Sequence, residues 1–118
     1  MRPLLPAIFL LFSVACHAVE PVDSLLQSLS GQNLWQNGLF PTVNLPASAS
    51  PRQVAAESLR NARIDKFTIV EVREVIIPGA SMDKYSAVVV DSAPGQKIVL
   101  LRHLGPGNGW WTRIYDAK

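Results

Sequence analysis

Apolar positions along this chain change period three times, and each change predicts a different element. Val22, Leu25, Leu26 and Leu29 recur at i, i+3, i+4 and i+7. That spacing lines one face of a helix and predicts one over 22–30. Pro21 suits a first helical position and Gly31 a C-terminal stop. From Gln32 to Ala49 the period is lost. Gly38, Pro41 and Pro46 interrupt the stretch, yet Trp35, Leu39, Phe40, Val43 and Leu45 keep it apolar. Such a long segment without regular structure is unusual in a small domain, and its apolar residues are too frequent for a solvated linker. It reads as an arm laid across the core. Helical spacing returns after Ser50-Pro51-Arg52-Gln53. Ser50 is placed to N-cap, Pro51 to occupy the first turn and Gln53 to reach back as a capping box. This second helix should run to about Asn61, with a stripe of Val54, Ala55, Leu59 and Ala62 and with Ser58 between them. Glu57, Arg60 and Arg63 should face water.

Beyond Lys66 the period shortens to two. Residues 67–77 are rich in β-branched side chains and predict a long first strand. Its alternation is broken: Val70 and Val72 share a face with Glu74, and Ile69 and Val75 share the other with Glu71 and Arg73. A bulge near the middle would repair the pattern. Further strands are expected at 85–91, 97–104 and 110–115. Pro78-Gly79, Ala93-Pro94-Gly95-Gln96 and Gly105-Pro-Gly-Asn-Gly109 connect them. Short links between successive strands predict an antiparallel meander. Ala87-Val88-Val89-Val90 and Ile98-Val99-Leu100-Leu101 are apolar on both faces, which suits the two central strands. A sheet with one helix on it normally leaves one face wet. Something must therefore cover the second face, either the arm or a second copy of the chain in a homodimer. The arm is favoured because it carries Trp35 and Phe40.

The first eighteen residues stand apart. Arg2, the apolar run Leu4–Val14 and the small residues Ser13, Ala15 and Ala18 have the layout of a secretory signal peptide. The run is shorter than the ~20 apolar residues that span a bilayer. Cleavage after Ala18 removes the single cysteine, Cys16. Cleavage after Ala15 leaves Cys16 first and resembles a lipobox, Ser13-Val14-Ala15-Cys16, which makes Cys16 a candidate lipidation site. The mature chain then has no cysteine pair and depends on its core. The expected organisation is a signal peptide over 1–18, a short helix and arm over 19–49, and a helix plus four-stranded antiparallel sheet over 50–118. The fold class is α+β. The expected location is the periplasm or the exterior, with a lipid anchor on the envelope as an alternative.

Charge adds little. The formal net charge of +2 includes Arg2, and the remaining basic residues are scattered rather than run together, so nucleic acid is not an expected partner. There is no G-x-S-x-G, P-loop, dinucleotide fingerprint or H-E-x-x-H. No cofactor, metal site or catalytic residue is expected. His103 is the one histidine of the mature domain, and Asp91 could lie across the strand pair from it. Glu71, Glu74 and Asp91 could supply a carboxylate pair, but Arg73, Lys97 and Arg102 are natural cross-strand partners for such acids.

Leu104–Arg113 looks like more than scaffold. Neighbours on a strand point to opposite faces, so one of Trp110 and Trp111 should be buried and the other partly exposed. Alternatively, the second tryptophan covers the other sheet face beneath the arm. Trp110, Trp111, Asn108 and Arg113 are the candidate partner-binding residues, with Arg113 stacked on the exposed indole or paired to Asp116. A helix followed by a four-stranded meander is similar in outline to cystatin-like folds, whose hairpin tips enter a protease cleft. The Q-x-V-x-G loop of those inhibitors is absent. Three functions are therefore open. The first is an exported non-catalytic module that binds another protein or an envelope component. The second is an inhibitor of cystatin-like outline, and the third a ligand binder or enzyme with a helix–sheet pocket.

Overall fold

The computed structural model describes residues 21–32, 34, 41–80 and 82–117. The expected signal segment with Cys16, and the arm residues Trp35, Leu39 and Phe40, lie outside the described residues. Two helices, α1 (Pro21–Ser28) and α2 (Pro51–Asn61), precede four strands: β1 (Phe67–Ile76), β2 (Lys84–Ser92), β3 (Gly95–His103) and β4 (Trp110–Asp116). The sheet order is β1-β2-β3-β4, and every neighbouring pair is antiparallel. The meander and the α+β class follow the period change read from the chain.

Helix α2 begins as its sequence dictates. Ser50 Oγ accepts from the Gln53 amide at 3.2 Å, and Gln53 Oε1 accepts from the Ser50 amide at 2.9 Å. Such a cap contributes about 1 kcal/mol. At the other end Arg63 takes φ +66, and the Ile64 amide donates back to Leu59 O at 2.9 Å. This left-handed residue ends the helix where glycine is more usual. Val54, Ala55, Ser58 and Leu59 are buried as expected, but Ala62 is exposed. It is the C-cap, and the chain has already begun to turn away from the sheet there.

The bulge in β1 falls at Val70. Ile69 pairs with Val90 and Glu71 with Val89, so Val70 has no opposite number and is exposed. The extra residue swaps the faces of everything that follows. Phe67, Ile69 and Val72 pack on the α2 side, whereas Val75 and Ile77 join the α1 side. Both sheet faces are consequently covered, giving three layers. Val88, Val90, Val99 and Leu101 meet Val54, Ala55 and Leu59 on one face. Ala87, Val89, Ile98 and Leu100 meet Val22 and Leu29 on the other. Full burial of one such aliphatic side chain is worth about 1.5–3 kcal/mol.

The second face is covered by α1 together with Leu34 from the start of the arm, while Val43 and Leu45 of the arm pack on the α2 face. The part of the expectation that rests on Trp35 and Phe40 falls outside the described residues. A helix that presents Val22, Leu25 and Leu26, followed at once by Leu29, can close a sheet face where an irregular segment would strand its main-chain groups. The end of α1 is fastened to the β1–β2 turn, where Gly31 N and Ser30 Oγ donate to Pro78 O at 2.7 and 3.3 Å. Asp23 accepts from Arg73 Nη2 at 2.8 Å.

Candidate functional site

The arm meets the sheet at the first residue of β4, and there it behaves as a one-residue fifth strand. Thr42 and Val43 amides both donate to Trp110 O, at 2.8 and 3.1 Å, and the Trp110 amide donates to Val43 O at 2.9 Å. The Trp110 indole nitrogen donates to Pro46 O at 3.1 Å. The β3–β4 loop closes against this crossing. Leu104 N donates to Gly109 O and Asn108 N to Gly105 O, both at 3.0 Å, and Asn108 Nδ2 donates to Leu104 O at 3.3 Å. Gly109 lies directly under the arm. It has φ +76, and a Cβ there would stand 2.9 Å from Val43 O. Only glycine lets the two backbones approach this closely.

A chain of three hydroxyls locks the arm from below. Thr42 Oγ1 accepts from the Thr112 amide at 2.8 Å, and the Thr42 and Thr112 hydroxyls are 2.8 Å apart. Thr112 Oγ1 and Ser58 Oγ are 2.7 Å apart and buried. Arm, β4 and α2 are thus tied by hydroxyls that satisfy one another, from the exposed Thr42 to the buried Thr112 and Ser58. Between arm and loop runs a groove of about 570 Å³, lined by Pro41, Thr42, Val43, Asn44, Leu104, Gly107 and Asn108. No protein-family model, characterised protein or solved structure matches this chain. The cystatin-like outline expected from the sequence has no matching structure behind it.

Of the two readings for Trp110 and Trp111, one exposed indole is not observed, and the alternative in which both are covered on opposite sheet faces holds. Trp110 is 8% and Trp111 7% exposed. With both sheet faces covered, alternation sends one indole under the arm and α2 and the other among Val22, Leu29 and Tyr85. Trp111 packs edge-on against Tyr85 at 5.7 Å, and Trp110 against His103 at 5.0 Å. Asn108 and Arg113 are exposed, but they do not converge. Asn108 lines the groove, whereas Arg113 borders a separate depression with Ser58, Asn61 and Ile114. Nor does Arg113 stack on an indole or pair with Asp116. Its guanidinium sits 5.8 Å from the Tyr115 ring, and Asp116 pairs with Lys97.

His103 and Asp91 lie at opposite ends of the sheet. Asp91 pairs with Gln96 beside the β2–β3 turn, while His103 pairs with Trp110. His103 Nδ1 accepts from the Gly105 amide at 3.2 Å, so the imidazole helps to shape the loop. The carboxylates are distributed among separate partners: Glu71 beside Arg73, Glu74 beside Lys84, and Asp91 accepting from Gln96. Asp83 meets Arg102 at 3.1 Å, and that guanidinium lies 5.7 Å from the Tyr85 ring. Burial pushes the phenols of Tyr85 and Tyr115 above the ordinary tyrosine range, against the opposing pull of Arg102 and Arg113 respectively. Among the described residues no group of three or more His, Cys, Asp or Glu side chains could hold a metal ion. Nor is any described helix long and apolar enough to cross a membrane.

The loop side of the groove, with Leu104, Gly107 and Asn108, lies in the segment that the sequence marks as more than scaffold. On the arm side Pro41 and Val43 stood out only as a break and an apolar anchor, and Thr42 and Asn44 carried no signal. Beneath the arm, Ser58 did carry one, as a polar residue inside the apolar stripe of α2.

Proposed function

We propose that this chain is an exported, non-catalytic binding module whose contact surface is the groove between residues 41–44 and 104–108. One observation carries the reading. The described lining consists of main chain, apolar side chains, the carboxamides of Asn44 and Asn108 and the hydroxyl of Thr42, with no ionisable side chain among them. General acid–base chemistry needs a titratable group within reach of the reacting atom. Recognition needs only donors and acceptors in fixed positions. Here the walls are pinned by the Trp110 main chain and the hydroxyl chain, so little ordering cost is left to binding. The export half of the reading rests on the apolar segment and small residues of Met1–Ala18. The partner in this reading is another protein or an envelope component. A small uncharged ligand is the second reading, favoured by the groove volume of about 570 Å³, which falls within the ~300–1,000 Å³ of small-molecule sites.

Affinity capture from the native envelope with the full-length chain and with an Asn108→Trp variant tests the proposal. The bulky indole should fill the groove without disturbing the fold, which circular dichroism checks. Partners held by the wild type should be lost from the variant. Identical captured sets from two folded chains would place the contact elsewhere. Mass spectrometry of the same native chain reads its first residue and any lipid on Cys16.

A further inference from the structure

We infer that Asn108 is a site of spontaneous covalent modification, at which the folded chain converts a neutral groove wall into an anionic one. The reaction is the closure of an Asn-Gly pair. The Gly109 nitrogen attacks Asn108 Cγ, the new N–C bond forms, the Cγ–Nδ2 bond breaks, and ammonia leaves with the proton the amide gave up. Solvent water then opens the cyclic imide. Opening at the side-chain carbonyl gives aspartate; opening at the main-chain carbonyl gives isoaspartate.

Three features of the fold leave this path open. The nucleophile is free, because the Gly109 amide donates to no described residue, although its carbonyl accepts from Leu104. The electrophile is accessible, because Asn108 is exposed and its carboxamide is held only by the 3.3 Å bond to Leu104 O. The fold also requires glycine next to it. Any Cβ at position 109 would stand 2.9 Å from Val43 O, on a residue with φ +76, so residue 109 carries no side chain of its own beside the amide, although it is buried beneath the arm. Asn61 makes the contrast. The nitrogen that would attack it, that of Ala62, has a Cβ beside it and donates to Ser58 O at 3.1 Å.

The consequence is local and chemical. A carboxylate has no N–H, so the bond to Leu104 O is lost and two oxygens face each other there. A negative charge enters a groove whose described lining has none. Isoaspartate also adds a methylene to the main chain, immediately before the closest approach of loop and arm.

The test is incubation of the full-length chain at neutral and mildly alkaline pH, folded and in urea, followed by tryptic mass spectrometry. Cleavage at Arg102 and Arg113 isolates residues 103–113, with Asn108 as its one asparagine. The second Asn-Gly pair, Asn37-Gly38, leaves in a different peptide ending at Arg52. In the folded chain the 103–113 peptide should gain the mass of amide-to-acid conversion at a pace close to that in urea. It should become a substrate for an isoaspartate-specific methyltransferase, while Asn61 keeps its amide. An Asn108→Gln chain should lose the signal, because glutamine closes its ring far more slowly. Retention of the amide in the folded chain overturns the inference, whatever the unfolded chain does. So does conversion of Asn61 at the same rate.

Discussion

Replacement of Gly109 by alanine probes the crossing of arm and loop, and the structure supplies its own control. Gly107 and Gly109 both have φ +76. A Cβ at Gly107 meets nothing within 4 Å, whereas one at Gly109 meets Val43 O at 2.9 Å and Pro41 Cβ at 3.3 Å. The backbone cost of a left-handed alanine, about 1–2 kcal/mol, is common to both variants. At Gly109 the arm must also retreat. Val43 O accepts from the Trp110 amide, and the Thr42 and Val43 amides donate to Trp110 O, so retreat weakens all three bonds. The loss of one or two of them at about 0.5–1.5 kcal/mol each adds roughly 0.5–3 kcal/mol. Gly109→Ala should therefore cost about 1.5–5 kcal/mol and Gly107→Ala about 1–2. Urea unfolding followed by tryptophan fluorescence resolves that difference, since a gap of about 1 kcal/mol moves the midpoint by roughly 0.3–1 M at the slopes of small proteins. Coincident midpoints would show that the arm does not press on the loop, and the pinned-groove reasoning would fail with it.

Thr112→Val keeps the shape of the side chain and removes the hydroxyl that links Thr42 to Ser58. A buried hydroxyl stripped of its partner should cost about 1–3 kcal/mol, against about 0.8 kcal/mol for the lost methyl in Thr112→Ser. Thermal unfolding that ranks valine as the milder change would mean the hydroxyl chain does not hold the arm. The phenols give a pH prediction. Tyr85 and Tyr115 are raised by burial above the ordinary value of 10.0. The unfolded chain thus releases these protons at lower pH than the native one. Stability conferred by the neutral phenols is complete below the ordinary tyrosine range and falls as pH rises through it toward the folded values. Ultraviolet titration of the folded chain should show phenolate forming later than in urea, and superimposable curves would contradict the assignment.

The most legible parts of the fold were those decided by neighbours along the chain. The capping box at Ser50–Gln53 declares itself in four letters, because its hydrogen bonds close within one helical turn. The bulge was readable for a related reason. A strand whose alternation slips by one residue can bury both halves only by inserting an unpaired position, and Val70 is that position. The doubly apolar central strands announced two covered faces. What covered the second face was not legible, since a helix, an arm or a second chain satisfies the same apolar demand, and α1 supplies it. Which of the two readings for the tryptophans would hold was open for the same cause. Alternation says that Trp110 and Trp111 point opposite ways, and both ways lead into a core. Asp91 and His103 were both on predicted strands, but only the register set them at opposite ends of the sheet.

The candidate groove shows where the boundary falls. By itself the sequence determined two helices, a bulged four-stranded meander, an Asn-Gly pair in a glycine-rich link and an apolar N-terminal stretch. These follow from periodicity, capping and dipeptide chemistry, all of which act over a few residues. Only the tertiary structure decided that Thr42 and Val43 would dock on Trp110, sixty-eight and sixty-seven positions further along the chain. The same contact made glycine obligatory at 109 and set Asn108 on a groove wall. That pairing depends on which main-chain groups of an edge strand remain unpaired once the sheet has closed, and no local pattern records it.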